Sequence, residues 1–328
     1  MNKTRTDKYL ANIYFFILMA LLWGVNFIPE DILTRLSDNL TINASISEFI
    51  IVVPALLMIA VWLIIRAVRY PDRQVDEGPF LSDRLMFRAV KPSTILMTIL
   101  FALTISPLIT LCNLISQIFV DNTVLEYSTD IIDTPMPVAV FVMAILPPLC
   151  EELAFRGVVY GGYRRDCRPA GAIFMSALLF GLMHGNVNQC VYAFVMGVAM
   201  ALMVEATGSI WPSILIHAFI NLRTVVAMFL LDHLQEGIFE EYLEMGSDAA
   251  TEGLGIYILI YAILSVLTTL MAGAILSWVA KNEDRANPLK ILRANKEYKT
   301  TRCSVWSVSL VIGIIAAIAL IVIVEMYT

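Results

Sequence analysis

The chain has 328 residues, 59% of them hydrophobic and only 15% charged, with a formal net charge of −6. A soluble domain runs at about 45–50% apolar and about 25% charged residues, so this composition excludes an ordinary soluble globule. It excludes a disulfide scaffold as well: Cys112, Cys150, Cys167, Cys190 and Cys303 show no paired spacing and no Cys-x-x-Cys, and read as small packing residues.

The N-terminus carries Lys3, Arg5 and Lys8 ahead of an apolar run that starts at Ile13. No small-x-small cleavage site follows, and Pro29-Glu30-Asp31 ends the run, so it reads as an uncleaved first span rather than a signal peptide. Further runs of about 18–25 apolar residues recur, each long enough to cross a bilayer as a helix. Together they place spans near 11–29, 46–65, 94–120, 138–163, 169–186, 188–206, 209–231, 254–279 and 304–326. An eight-span version makes one weak segment re-entrant or interfacial.

Charge supports this layout independently. With the N-terminus in the cytoplasm and sides alternating, all 22 Lys and Arg residues except Arg35 and Arg223 fall in inner segments. The outer loops 121–137 and 232–253 hold none, and carry acids such as Asp121, Glu126, Asp130, Asp133, Asp232, Glu236 and Glu240. That asymmetry is the positive-inside pattern. The expected fold is an all-α, multi-pass transmembrane helical bundle, a single integral-membrane domain over 1–328 in the plasma membrane of a bacterium. The basic stretches 66–92 and 281–303 face membrane lipids with anionic headgroups, and nothing reads as a nucleic-acid site. Loop 232–253, with Leu234, Ile238, Phe239, Tyr242 and Leu243 among acids, suits a short interfacial helix.

Three of the apolar stretches hold residues that lipid should reject: Glu151, Glu152 and Arg156; then Phe180 and His184; then His217 and Asn221. Ionisable groups at membrane depth are costly and are seldom kept without a partner and a task. Counted from the inner interface at about 1.5 Å per residue, Glu151, His184 and the His217–Asn221 pair reach similar depths of roughly 12–22 Å. Glu152 and Arg156 are i and i+4, with the acid N-terminal, so Arg156 reads as the partner of Glu152. Glu151 points about 100° away, toward a shared site. His217 and Asn221 also share a face, while Phe180 reads as packing against His184.

Singly, each of these has a plain structural alternative: a satisfied core histidine, or a structural ion pair. His233 reads as a solvated interface residue, Arg223 as a snorkelling one, Glu205 as interfacial, and Asn186, Asn188 and Gln189 as an outer turn. As a set, Glu151, His184, His217 and Asn221 read as a functional site.

A carboxylate with imidazoles can activate water for attack on a carbonyl, while a His–Asn pair donates to the developing oxyanion. Glu151, His184 and His217 are also a zinc ligand set with room for water, so a divalent metal is an open alternative. A serine mechanism lacks Gly-x-Ser-x-Gly, and neither Ser176 nor Ser213 has a base at triad spacing.

The runs Pro148-Leu-Cys-Glu151-Glu152-Leu-Ala-Phe-Arg156-Gly157, Ser176-Ala-Leu-Leu-Phe180-Gly-Leu-Met-His184 and Gly208-Ser-Ile-Trp211-Pro212-Ser-Ile-Leu-Ile-His217-Ala-Phe-Ile-Asn221 resemble the CPBP intramembrane proteases. That family includes Rce1-type CAAX prenyl endopeptidases and bacterial abortive-infection and bacteriocin-processing homologues. The resemblance covers about 136–231, with EExxxR, FxxxH and HxxxN in order; residues 1–135 and 232–328 are flanking spans without a recognisable role. It implies an intramembrane endopeptidase acting on a membrane-embedded or lipidated peptide. Glu151 and His184 would activate water, His217 and Asn221 would hold the oxyanion, and Glu152, Arg156 and Phe180 would order the site. A non-proteolytic scaffold or immunity factor, or a transporter using the same polar residues, are the alternatives from other classes. Transport is disfavoured because no paired repeat accompanies the polar cluster.

Overall fold

In lipid, a backbone N–H has no water to turn to, so each long apolar run closes its hydrogen bonds on itself as a helix. The computed structural model of the chain describes residues 7–26, 40–69, 85–235, 253–293 and 305–327, and among these there is no strand. Helix α1 spans Asp7–Asn26, α2 Leu40–Arg69 and α3 Pro92–Ser116. Helix α4 runs through 136–166 in five pieces: Met136–Val140, a π-turn Phe141–Ile145, Leu146–Glu152, a second π-segment Leu153–Tyr160, and Gly161–Asp166. Then follow α5 (Pro169–Leu182), α6 (Val187–Thr207), α7 (Trp211–Leu234), α8 (Leu254–Asn282) and α9 (Val308–Tyr327). Short helices Thr123–Glu126 and Ser128–Asp133 lie between α3 and α4, and Pro288–Arg293 follows α8.

Local chemistry sets several boundaries. Prolines open α3, α5 and α7, where a missing N–H costs nothing. Asn186 caps α6 by accepting the Gln189 N–H at 2.8 Å, and Gly208 closes the same helix at φ +68°.

Each of the nine expected spans meets a helix, and among the described residues seven of these helices are long and apolar enough to cross a membrane. Helix α5 is a weak segment of the kind that the eight-span version allows. With 14 residues it is about 21 Å long, short of a hydrocarbon core of about 30 Å, and it stops at Leu182 rather than near 186. In α2 the described apolar stretch is Glu48–Val61. Lys3 and Arg5, the breaker at 29–31, Arg35, the polar stretch 70–84, the expected interfacial helix at 236–252, and Cys303 lie outside the described residues.

The chain's two ends meet. Helices α1 and α9 pack together, with Trp23 Nε1 donating to Ala316 O at 2.9 Å and Asn12 Nδ2 to Val305 O at 2.9 Å. Helix α5 lies along α6, and α8 packs on α3 while turning Ile256, Leu259, Ile263, Leu267 and Leu270 outward, as a lipid-facing helix requires. Helix α6 is the most enclosed of the seven long helices. Glu205, near its end, is buried rather than interfacial: its carboxylate accepts from Tyr160 Oη and Arg164 Nε. A carboxylate at that depth is kept only with such partners.

Candidate active site

Glu152 ends the third piece of α4 and is fully buried. Its Oε2 lies 3.1 Å from Arg156 Nε, one turn on, and its Oε1 accepts from His217 Nδ1 on α7 at 3.2 Å. The carboxylate therefore joins two helices and two cations or donors. Arg156, also buried, donates through Nη2 to Gly197 O on α6 at 3.2 Å, and its guanidinium stands 4.4 Å above the Phe180 ring. A charge in such a place is tolerable only because acid, carbonyl and aromatic face surround it.

Close helix approach makes this possible. A Cβ at Gly197 would stand 3.0 Å from Ala177 Cα, and one at Gly181 would stand 2.6 Å from the Cys190 carbonyl. Larger residues at either position would push α5 and α6 apart.

Phe180 packs rather than reacts. Its ring meets those of His184 (5.1 Å), Phe155 (5.3 Å) and His217 (5.8 Å) edge to face. It thus spaces the two imidazoles.

His184 does not sit within α5, contrary to expectation, because the helix ends two residues earlier. It occupies the turn beyond, where Gly185 passes at φ +74°, a conformation that glycine adopts without steric cost. His184 Nδ1 faces Phe180 O at 2.9 Å. A carbonyl only accepts, so Nδ1 carries the proton and Nε2 is left as the basic lone pair.

Glu151 is only 7% exposed, and its Oε2 has no hydrogen-bond partner among the described residues. A second carboxylate shares that condition. Glu48 on α2 is equally buried with an unpartnered Oε2, and α2 packs against the Leu146–Glu152 piece, placing Glu48 within electrostatic reach of Glu151. Tyr14 secures that corner by donating to Ile51 O at 3.0 Å, one turn beyond Glu48. Sequence reasoning missed Glu48, although its signal was a lone acid just inside the second apolar run.

His217 and Asn221 share a face of α7, but they reach different parts of α4. His217 bonds the Glu152 carboxylate, and Asn221 Nδ2 donates to Met143 O at 3.0 Å. Asn188 lies at the start of α6, bonded to Asn113 Oδ1 and Ser116 Oγ at 2.7 and 2.9 Å, apart from this network.

A zinc ion on Glu151, His184 and His217 would need three converging donors. Among the described residues no group of three His, Cys, Asp or Glu side chains is placed to hold a metal. Each histidine gives its Nδ1 to an oxygen, His217 to Glu152 and His184 to a backbone carbonyl, and keeps Nε2 free, so it is the placing of the three side chains and not the ring nitrogens that speaks against the set. The arrangement does not fit zinc held by that set.

Helices α4 to α7 thus gather every polar residue of the three motifs. Residues 133–223 match the family model of the Rce1-like type II CAAX prenyl endopeptidases. The resemblance seen in the motifs is thereby borne out over the segment that carries them. A curated protein of Bacillus subtilis (strain 168), "Putative membrane peptidase YdiL", is 25% identical over 110 residues, which are 34% of this chain. Those residues span only 44% of that protein's length. No solved structure matches the chain. With seven membrane-length apolar helices among its described residues, the chain is an integral membrane protein.

Proposed function

We propose that the chain is an intramembrane endopeptidase in which Glu151 and His184 activate water. The observation that carries this reading is the buried Glu151 carboxyl, whose Oε2 has no hydrogen-bond partner among the described residues and which stands outside the contacts that join Glu152 to Arg156 and to His217, all within the Rce1-like segment. An unpaired buried acid costs stability, so its retention points to a role in chemistry.

Water bound at Glu151 gives a proton to the carboxylate, or to His184 Nε2, as its oxygen attacks the scissile carbonyl carbon. Negative charge then develops on the carbonyl oxygen. Asn221 offers the N–H that Met143 does not use, and His217 Nε2 donates when the ring is protonated. Collapse breaks the C–N bond, and the proton taken from water passes to the leaving amine. Arg156 does no chemistry; it holds Glu152, and Glu152 holds the His217 ring.

The family description names CAAX prenyl endopeptidases, so prenylated C-terminal peptides form one arm of the test and unmodified transmembrane peptides the other. Purified protein in detergent should cleave at least one class, and Glu151→Ala and His184→Ala should abolish cleavage while unfolding at temperatures close to wild type. Wild-type rates in either variant would remove that residue from the mechanism. Loss of wild-type activity to a strong chelator would reinstate a metal. A folded wild type that cleaves neither class would favour the scaffold reading.

A further inference from the structure

Pro147 and Pro148 follow one another in α4, and neither carries a backbone N–H. The Met143 carbonyl would be met by residue 147 in an α-helix, or by residue 148 in the π-turn that contains it. Both are prolines, so neither ladder can supply a donor. The nearest remaining N–H, that of Leu146, is already bonded to Phe141 O. A carbonyl left open at membrane depth is expensive.

Asn221 closes it from another helix, its Nδ2 donating to Met143 O at 3.0 Å. One turn earlier on the same face of α7, His217 bonds Glu152 at 3.2 Å. The two bonds bracket 143–152, the segment whose far end presents Glu151. Its α-helical part, Leu146–Glu152, lies between two π-segments, so its rotation is not set by continuous α-helical bonding on either side.

We propose that Asn221 is a positioning residue: by closing the carbonyl that Pro147 and Pro148 leave open, it clamps segment 143–152 to α7 and sets where the Glu151 carboxylate stands. Resting on the protease reading of Glu151, this adds to the donor role of the amide's second N–H and makes the HxxxN pair a two-point clamp as well as an oxyanion site. The Pro-Pro pair and the asparagine become one device: the first opens a backbone acceptor, and the second uses it to join two helices.

The test is a mutant cycle on the full chain in detergent. Pro147→Ala restores an N–H that can bond Met143 O within α4. Asn221→Ala alone should lower Tm by at least about 2 °C and kcat by about a hundredfold, because a displacement of about 1 Å at the reacting groups suffices for that loss. In the Pro147→Ala background the same substitution should cost little Tm, and kcat should fall by clearly less than in the wild-type background, the loss that remains being that of the oxyanion donor. If Asn221→Ala leaves Tm unchanged and lowers kcat equally in both backgrounds, the residue acts on substrate alone and the clamp is overturned. Asn221→Leu, which keeps the volume but has no group that can donate, serves if Pro147→Ala fails to fold: a lower Tm supports the clamp, and an unchanged one refutes it. Absence of cleavage by the wild type would count against the protease reading only, since the unfolding arm still decides the role of the bond.

Discussion

Arg156 is the residue whose loss the structure prices most clearly. It is 1% exposed, lies 3.1 Å from Glu152 Oε2, donates to Gly197 O at 3.2 Å, and covers the Phe180 ring at 4.4 Å. Arg156→Met keeps much of the volume but leaves Glu152 buried with His217 as its remaining partner. Breaking a buried pair on one side costs about 3–5 kcal/mol, which includes the stranded charge. For a large domain each kcal/mol shifts Tm by about 2–4 °C, so a fall of roughly 6–20 °C is expected. Thermal unfolding of the purified protein in detergent measures it. The cycle with Glu152→Gln separates the pair from the space it fills: the double variant should lose less than Arg156→Met alone, because no charge is left stranded. A wild-type Tm in Arg156→Met would refute the reasoning, and so would a double variant less stable than that single one.

Glu48 gives a prediction of the opposite sign. Glu48→Met removes a buried carboxylate oxygen without a partner among the described residues, so Tm should rise by a few degrees while cleavage falls; a lower Tm would show the acid to be paired. Gly181→Ala places a methyl 2.6 Å from the Cys190 carbonyl where α5 lies along α6, and a loss of about 1–3 kcal/mol should appear as a lower Tm. An unchanged Tm would mean that the two helices can separate freely there. Glu325 on α9 accepts the Val187 N–H at 2.7 Å at the start of α6, just past the His184 turn. Glu325→Leu should cost about 1 kcal/mol and speed amide hydrogen exchange at 184–187, and unaltered exchange would deny that α9 steadies the turn.

Much of the bundle was legible because the lipid requirement writes itself as long apolar runs, and each expected run met a helix. The Glu152–Arg156 pair was legible for a similar reason, since i, i+4 spacing on a helix is a property of side chains alone. What escaped was set by the backbone or by neighbours remote in sequence. The two π-segments of α4 leave no hydropathy signature. The early end of α5, and with it the placing of His184 in a turn, follows from a glycine at positive φ that hydropathy does not weigh. Glu205 read as interfacial because its partners, Tyr160 and Arg164, belong to another helix. Asn221 finds a backbone carbonyl, and side-chain spacing says nothing about which carbonyl two prolines will leave open.

The part of the chain that carries the family match does not build the site's surroundings by itself. Residues 133–223 supply every motif side chain, yet α2 contributes Glu48 beside Glu151, α1 contributes Tyr14, and α9 caps the helix that follows His184. None of these lies in the matched segment. A buried ion network survives only where its neighbours exclude water and complete its hydrogen bonds. The motif side chains therefore come with four helices, whereas the packing around them is completed by helices from both ends of the chain.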